Sequence, residues 1–415
     1  MTPKTTTIGS YPVFPKAEDV EYYKKMWERG LGDEVLDPYV WSIEESVKDF
    51  VAAGLEVVST GQTRGDLYSL FLDSHFVKGV EWKGGEALVT GRLERRREIR
   101  LADVKLARGL LPEHFELREP ITDAYTLAKF AKISGRSYAD TRELAKEVNR
   151  KVVIPELESL QGSGCVSMLQ LDSPAIGAES ATPDFLVSLY EEVMSAAKLP
   201  VMLHACGDVS RVLGLLARTK VDVLSLDLYH FPHLLTILSR GGYDQEIGMG
   251  VLDSQNLIIE SVEEISRNLE HGMKLLGEDR IAFVHPHCGQ RNIDRQTAFR
   301  KNANMTMARD DVCFGKAEEA PRGGLTKSSY DRKGYFLVTL DRGRREIVVT
   351  FYSYDHRALW RRRSRRADHL LQSLNDNADR LGISRRHLSY LTLELGRAEA
   401  SLASLSTFYR QAMIE

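Results

Sequence analysis

The sequence is poor in the features that mark exported, membrane-embedded or nucleic-acid-binding chains. Cysteine occurs four times in 415 residues, at Cys165, Cys206, Cys288 and Cys313. So sparse a set excludes a disulfide scaffold and leaves reduced thiols, metal ligands or small buried hydrophobes. No run of roughly eighteen apolar residues occurs, and Met1 is followed by the polar stretch Thr2 to Thr7. Neither a membrane span nor an export signal is expected, and the expected location is cytoplasmic. Charge of neither sign is in excess, with Lys+Arg 56 against Asp+Glu 59. The overall basic field that nucleic acid selects is therefore missing. What remains, 43% hydrophobic and 28% charged residues, is ordinary globular composition. The chain is longer than one core usually serves, so two domains are expected.

From Thr5 to about Asn304, short apolar, β-branched runs alternate with longer amphipathic stretches, as in repeated βα units. The strand candidates are Thr6–Gly9, Glu56–Thr60, Ile121–Tyr125, Val166–Leu171, Val201–His204, Val223–Asp227, Ile247–Val251 and Ile281–Val284. Helical patterns lie between them at Ser42–Ala53, Asp140–Leu160, Pro183–Ala197, Val209–Arg218 and Val262–Leu276. Eight strands in roughly 300 residues favour an α/β fold, a (β/α)8 TIM barrel, over an open sheet. Residues 76–117 break the rhythm. Lys83-Gly84-Gly85 between two alternating runs predicts an inserted hairpin.

Ala320-Pro321-Arg322-Gly323-Gly324 reads as a linker, dividing a barrel over 1–318 from a small α+β domain over 325–415. In the latter, Gly334–Leu340 and Glu346–Tyr352 are strands of a hairpin, followed by helical stretches at about Ala367–Arg380 and Ser384–Ala412. Between Arg357 and Arg366 six arginines surround Trp360. They read as a phosphate- or nucleic-acid-binding patch or, in preference, as a solvated basic face where a strand hands over to a helix.

A barrel keeps its functional groups where strands run into the following loops. Here those ends read Gly9-Ser10-Tyr11-Pro12, Thr60-Gly61-Gln62-Thr63-Arg64, Gln170-Leu171-Asp172-Ser173-Pro174, His204-Ala205-Cys206-Gly207-Asp208, Ser225-Leu226-Asp227, Gly250-Val251-Leu252-Asp253 and His285-Pro286-His287-Cys288-Gly289. His204 and Cys206 are two apart on an extended segment, so their side chains leave one face of the strand. Cys288 leaves the eighth strand at the same mouth. With a carboxylate from Asp227, the set is one nitrogen, two thiolates and one oxygen, which suits tetrahedral zinc. Zinc bound by two thiolates activates water poorly but keeps a substrate thiol deprotonated near neutral pH, which is S-alkylation chemistry. Asp172 is the carboxylate to hold a substrate ammonium group, unless it caps a helix. Asp172, Asp253 and Gln255 are the candidate catalytic groups of this mouth.

The ordered motifs Thr5-Thr6-Thr7-Ile8-Gly9-Ser10-Tyr11-Pro12, Leu171-Asp172-Ser173-Pro174-Ala175, His204-Ala205-Cys206-Gly207-Asp208 and Pro286-His287-Cys288-Gly289 resemble the catalytic barrel of the cobalamin-independent methionine synthase family, in its short archaeal-type form. The resemblance spans about residues 1–310. It implies zinc on His204, Cys206 and Cys288, with Asp227 where the family has a glutamate. It also implies homocysteine against the backbone of Ile8, Gly9 and Ser10, its amino group on Asp172. Gln62 stands where the family has a second, glutamate ligand for that amino group. Gln255 replaces the family's histidine after the seventh strand. Loss of charge at Gln62 leaves a different thiol, such as coenzyme M, as an alternative substrate.

Folate-using members carry a second, amino-terminal barrel, whereas these motifs begin at Thr5. The expected methyl donor is therefore methylcobalamin or a methylated corrinoid protein. Two competing readings are a uroporphyrinogen-decarboxylase-like barrel, whose thiol methyltransferases also carry His-x-Cys-Gly, and a binding protein that has lost catalysis. The Gly334 to Leu405 region resembles a small domain of unassigned role in archaeal methyl-transfer proteins.

Overall fold

The computed structural model describes residues 2–28, 37–112, 115–177, 183–315, 334–341, 346–353, 358–377, 395 and 409–414. Eight parallel strands, Lys4–Thr5, Val57–Val58, Glu116–Thr122, Met168–Asp172, Val201–Ala205, Val223–Leu226, Glu246–Leu252 and Ile281–Pro286, pair in chain order. The first strand also pairs with the eighth, and a parallel bridge between Thr6 and Val57 closes the ring. Helices cover the outside, so each strand is buried on both faces. That is why the strands read as continuous apolar runs rather than alternating ones.

The closed ring fixes which residues share the barrel mouth. In register, Asp172 lies beside His204 and His204 beside Ser225, all on one face of the sheet at its carboxyl end. Ile8, Val57, Met168, Met202, Val223 and Phe283 form an apolar core cluster.

The third strand differs from the expected Ile121–Tyr125, because it starts at Glu116 and ends at Thr122. Asp123 accepts a hydrogen bond from the Thr126 amide and so caps a helix over Ala124–Phe130. Its strand-like polar start, Glu116-Leu117-Arg118-Glu119, buries charges that a hydrophobicity pattern misses. The inserted hairpin is present as Val77–Lys83 against Glu86–Arg95, and its second strand also pairs in parallel with Ala131–Ile133. The rest of the expected 76–117 insertion is the helix Leu101–Leu110 and the start of the third strand.

Contacts divide the chain into Met1–Met305 and Thr306–Glu415. The expected boundary at 318–325 lies outside the described residues. In the second unit, Ala358–Ser364, Glu346–Ser353, Gly334–Asp341 and Tyr409–Ile414 form an antiparallel sheet in that order, accompanied by the helix Ala367–Asp376. The arginine-rich run lies where a strand, Ala358–Ser364, hands over to a helix, but it is not wholly solvated, since Arg361 is buried and its Nε donates to Thr350 Oγ1 at 3.3 Å. Another expectation changes. The segment from Tyr409, expected at the end of a helix, is a strand, because it supplies the ladder partner of Gly334–Thr339. Most of the helix expected over 384–412 lies outside the described residues.

Candidate metal centre and substrate pocket

The fifth strand brings His204 and Cys206 to the mouth, and the loop after the eighth strand brings Cys288. His204 Nε2 lies 2.9 Å from Cys206 Sγ, and the two sulfurs are 3.2 Å apart. The three ligand atoms fall within 4.8 Å of one another. The sulfurs do not behave alike. The hydrogen bond between them holds Cys288 well below the usual thiol range and, with burial, pushes Cys206 well above it. Burial weighs most heavily against charge on His204, but the hydrogen bond and charge of Cys288 together with the Asp172 carboxylate outweigh it and raise the imidazole. Two sulfurs and an imidazole that share protons at such distances form a site ready to exchange protons for a cation. One imidazole nitrogen and two sulfurs are also the borderline-soft donors zinc prefers.

Asp227 stands elsewhere. It accepts from the His230 amide at 3.0 Å and from His230 Nδ1 at 3.0 Å. It groups with His230 and His287 rather than with the sulfurs. Asp253 completes this second cluster, 3.4 Å from His230 Nε2 and 3.6 Å from His287 Nδ1. Sequence reasoning assigned no role to either histidine. The signals were the Asp227-to-His230 spacing of three, which suits a turn that folds back on its carboxylate, and His287 beside Cys288.

Asp172 is buried and accepts from Gln170 Nε2 and, at 3.3 Å, from Gln62 Nε2. Burial pushes its carboxyl above the ordinary value, opposed by His204, Gln170, Arg118 and Gln62. It caps no helix, since the nearby cap belongs to Asp123. Gln62 holds a left-handed backbone, φ 45°, a conformation rare outside glycine that aims its amide at Asp172.

The loop Ile8, Gly9 and Ser10 packs against the eighth-strand loop. A Cβ on Gly9 would meet Gly289 Cα at 3.1 Å, so this approach needs glycine. Ser10 O accepts from the Gln290 amide at 2.8 Å. Gln255 Nε2 donates to Gly289 O at 2.6 Å, which places it as a clamp on the loop that carries Cys288. A cavity of about 1010 Å³ opens near Arg64, Phe76 and Trp82, but none of the residues above except the neighbouring Arg64–Gly65 loop borders it. Arg64 is satisfied there by Asp37 and Asp103.

The family model for the catalytic domain of cobalamin-independent synthase matches residues 3–311. The chain belongs to this family. A second model, described as PterinBD-DUF4346, matches residues 330–412. The methionine synthase of Methanothermobacter marburgensis is 30% identical over 313 residues, covering 73% of this chain and 98% of its own. That of Methanocaldococcus jannaschii is 30% identical over 319 residues, covering 73% and 97%. In fold, a B12-independent methionine synthase from Shewanella sp. W3-18-1 in complex with selenomethionine superposes with a TM-score of 0.62 at 18% identity, covering 75% of this chain and 98% of that one. Cobalamin-independent synthases are thus the setting of the centre, and the chain is a methyltransferase of the methionine synthase class. The uroporphyrinogen-decarboxylase-like alternative gives way to this assignment. Among the described residues, no helix is long and apolar enough to cross a membrane.

Proposed function

We propose that the chain methylates the sulfur of homocysteine, with zinc on His204, Cys206 and Cys288 and a methylcorrinoid as donor. The observation that carries this reading is the convergence of two sulfurs and one imidazole nitrogen within 4.8 Å, one strand from a buried carboxylate in register with the histidine. Zinc bound there supplies a Lewis acid that holds the substrate thiol as thiolate near neutral pH.

The chain's own residues do the rest. Asp172 receives the substrate ammonium, whose charge offsets the burial that now disfavours the carboxylate. The amides of Gln170 and Gln62 fix the orientation of its two oxygens. The backbone of Ile8, Gly9 and Ser10 lies against the amino-acid end, held by Gly289 and Gln290. Asp227 and Asp253 flank His230 in the cluster that adjoins Cys288 through His287, and they are the carboxylates assigned to take up the thiol proton. Asp227, held by the His230 amide and ring, would reach a fourth zinc position only by giving up those bonds.

A methylcorrinoid suits this mouth because its methyl group is already activated toward a thiolate, whereas the methyl of methyltetrahydrofolate leaves a poor nitrogen leaving group. The test is methionine formation from homocysteine with methylcobalamin, a methylated corrinoid protein or methyltetrahydrofolate as donor. Turnover with the folate alone overturns the corrinoid reading. Turnover on coenzyme M but not homocysteine, which the neutral Gln62 allows, overturns the amino-acid substrate.

A further inference from the structure

A hydrogen-bond chain behind His204 starts at a group that can only accept. His285 Nδ1 lies 2.8 Å from the carbonyl oxygen of Pro286, so that nitrogen carries the ring proton and donates. The neutral ring then offers only a lone pair at Nε2, which lies 2.9 Å from Ser225 Oγ. The Ser225 hydroxyl donates into it. Having given its single proton, Ser225 Oγ can only accept from His204 Nδ1, 3.0 Å away. In its neutral form, the one that can bind a cation, His204 therefore keeps its proton on Nδ1 and turns a lone pair outward on Nε2, the nitrogen 2.9 Å from Cys206 Sγ.

We propose that Ser225 and His285 are positioning residues of the metal centre, relaying the fixed direction of the Pro286 carbonyl into the one His204 tautomer that binds a cation through Nε2. The proposal rests on the metal reading given above. His285 and Ser225 are 0% exposed and His204 is 2% exposed, so no bulk water competes to reverse the chain. Gly248 leaves the space the ring needs, since a Cβ there would come within 2.8 Å of His285 Nε2. Without the relay, a serine hydroxyl free to donate to His204 Nδ1 would favour the opposite tautomer. Its Nε2 proton would have to be expelled on metal binding.

Two readouts test this. Nitrogen-15 NMR of the zinc-free wild-type protein at alkaline pH, with the signal assigned by its loss in His204→Gln, should show the Nδ1–H tautomer of His204. In zinc competition against a chromophoric chelator, Ser225→Ala and His285→Phe should each lose about 10–100-fold in affinity. The double variant should lose no more than either single one. His285→Gln, whose carbonyl still accepts from Ser225, should recover most of the loss. His204 found as Nε2–H in the wild type overturns the proposal. So do unchanged affinities, or a His285→Gln loss equal to that of His285→Phe, which would signify packing alone. Failure of the metal reading looks different: the wild type takes up no zinc, or keeps it in Cys206→Ser with Cys288→Ser. The tautomer is read without metal and is judged separately.

Discussion

Two side-chain clusters stand next to each other at the barrel mouth, built from neighbouring strand ends, yet they have opposite characters. His204, Cys206 and Cys288 present soft donors that share protons at 2.9 and 3.2 Å. Asp227, His230, His287 and Asp253 present hard oxygens and imidazoles, with His230 held between the two carboxylates. The Ser254 amide donates to His287 Nδ1 at 2.9 Å, which occupies that nitrogen's lone pair. What separates them is donor chemistry: the first cluster offers two sulfurs and a nitrogen, the set a borderline-soft ion prefers, and the second offers oxygens and nitrogens.

The sharpest way to break this contrast is by substitution in each cluster. Cys288→Ser should abolish stoichiometric zinc and methyl transfer, whereas His230→Ala should leave zinc content unchanged, as metal analysis of the purified variants would show. Zinc lost from His230→Ala and kept in Cys288→Ser would reverse the assignment.

A smaller effect is expected at the substrate end. Asp172→Asn should weaken homocysteine binding by about 2–4 kcal/mol, the typical cost of breaking a desolvated charge pair. Calorimetric titration measures it. Gln62→Glu should tighten binding in the same assay by adding a second charge beside the ammonium. An unchanged affinity in Asp172→Asn would exclude it as the ammonium partner.

The ladder of strand ends made the first cluster legible in the sequence, because an x-spacing of one on a strand and a shared barrel mouth are consequences of regular geometry. The second cluster was not legible as a unit. Asp227 was read as a ligand from its strand end alone, but the turn after the sixth strand brings His230 back onto it, and turn geometry is not written in an apolar pattern. Buried charge hid the third strand in the same way, since Arg118 and Glu119 are fully buried within a segment that reads as polar. In the second unit, Arg361 looked like part of a solvated face because its burial comes from its cross-strand partner Thr350, which a run of charge does not reveal.

Asp227 itself offers a finer test. Asp227→Asn should retain one zinc per chain, with a smaller loss of affinity than either cysteine variant, because three firm ligands suffice and the fourth position is the labile one. Chelator competition measures it, and complete zinc loss would make Asp227 an essential ligand. The smallest effect is expected at Gln255, whose amide clamps Gly289 O at 2.6 Å. Gln255→Ala should cost about 1 kcal/mol of stability, the usual worth of one such hydrogen bond, measured by denaturant unfolding. A collapse of activity with no loss of stability would instead give Gln255 a direct part in the reaction.

The central claim is that the thiolate cluster holds zinc and that the substrate sulfur joins it. Zinc K-edge X-ray absorption on the purified protein, before and after homocysteine, tests this most directly. The account predicts two sulfur neighbours at zinc in the free protein and three after homocysteine is added. A sulfur count that does not rise, or zinc surrounded only by nitrogen and oxygen, would contradict it.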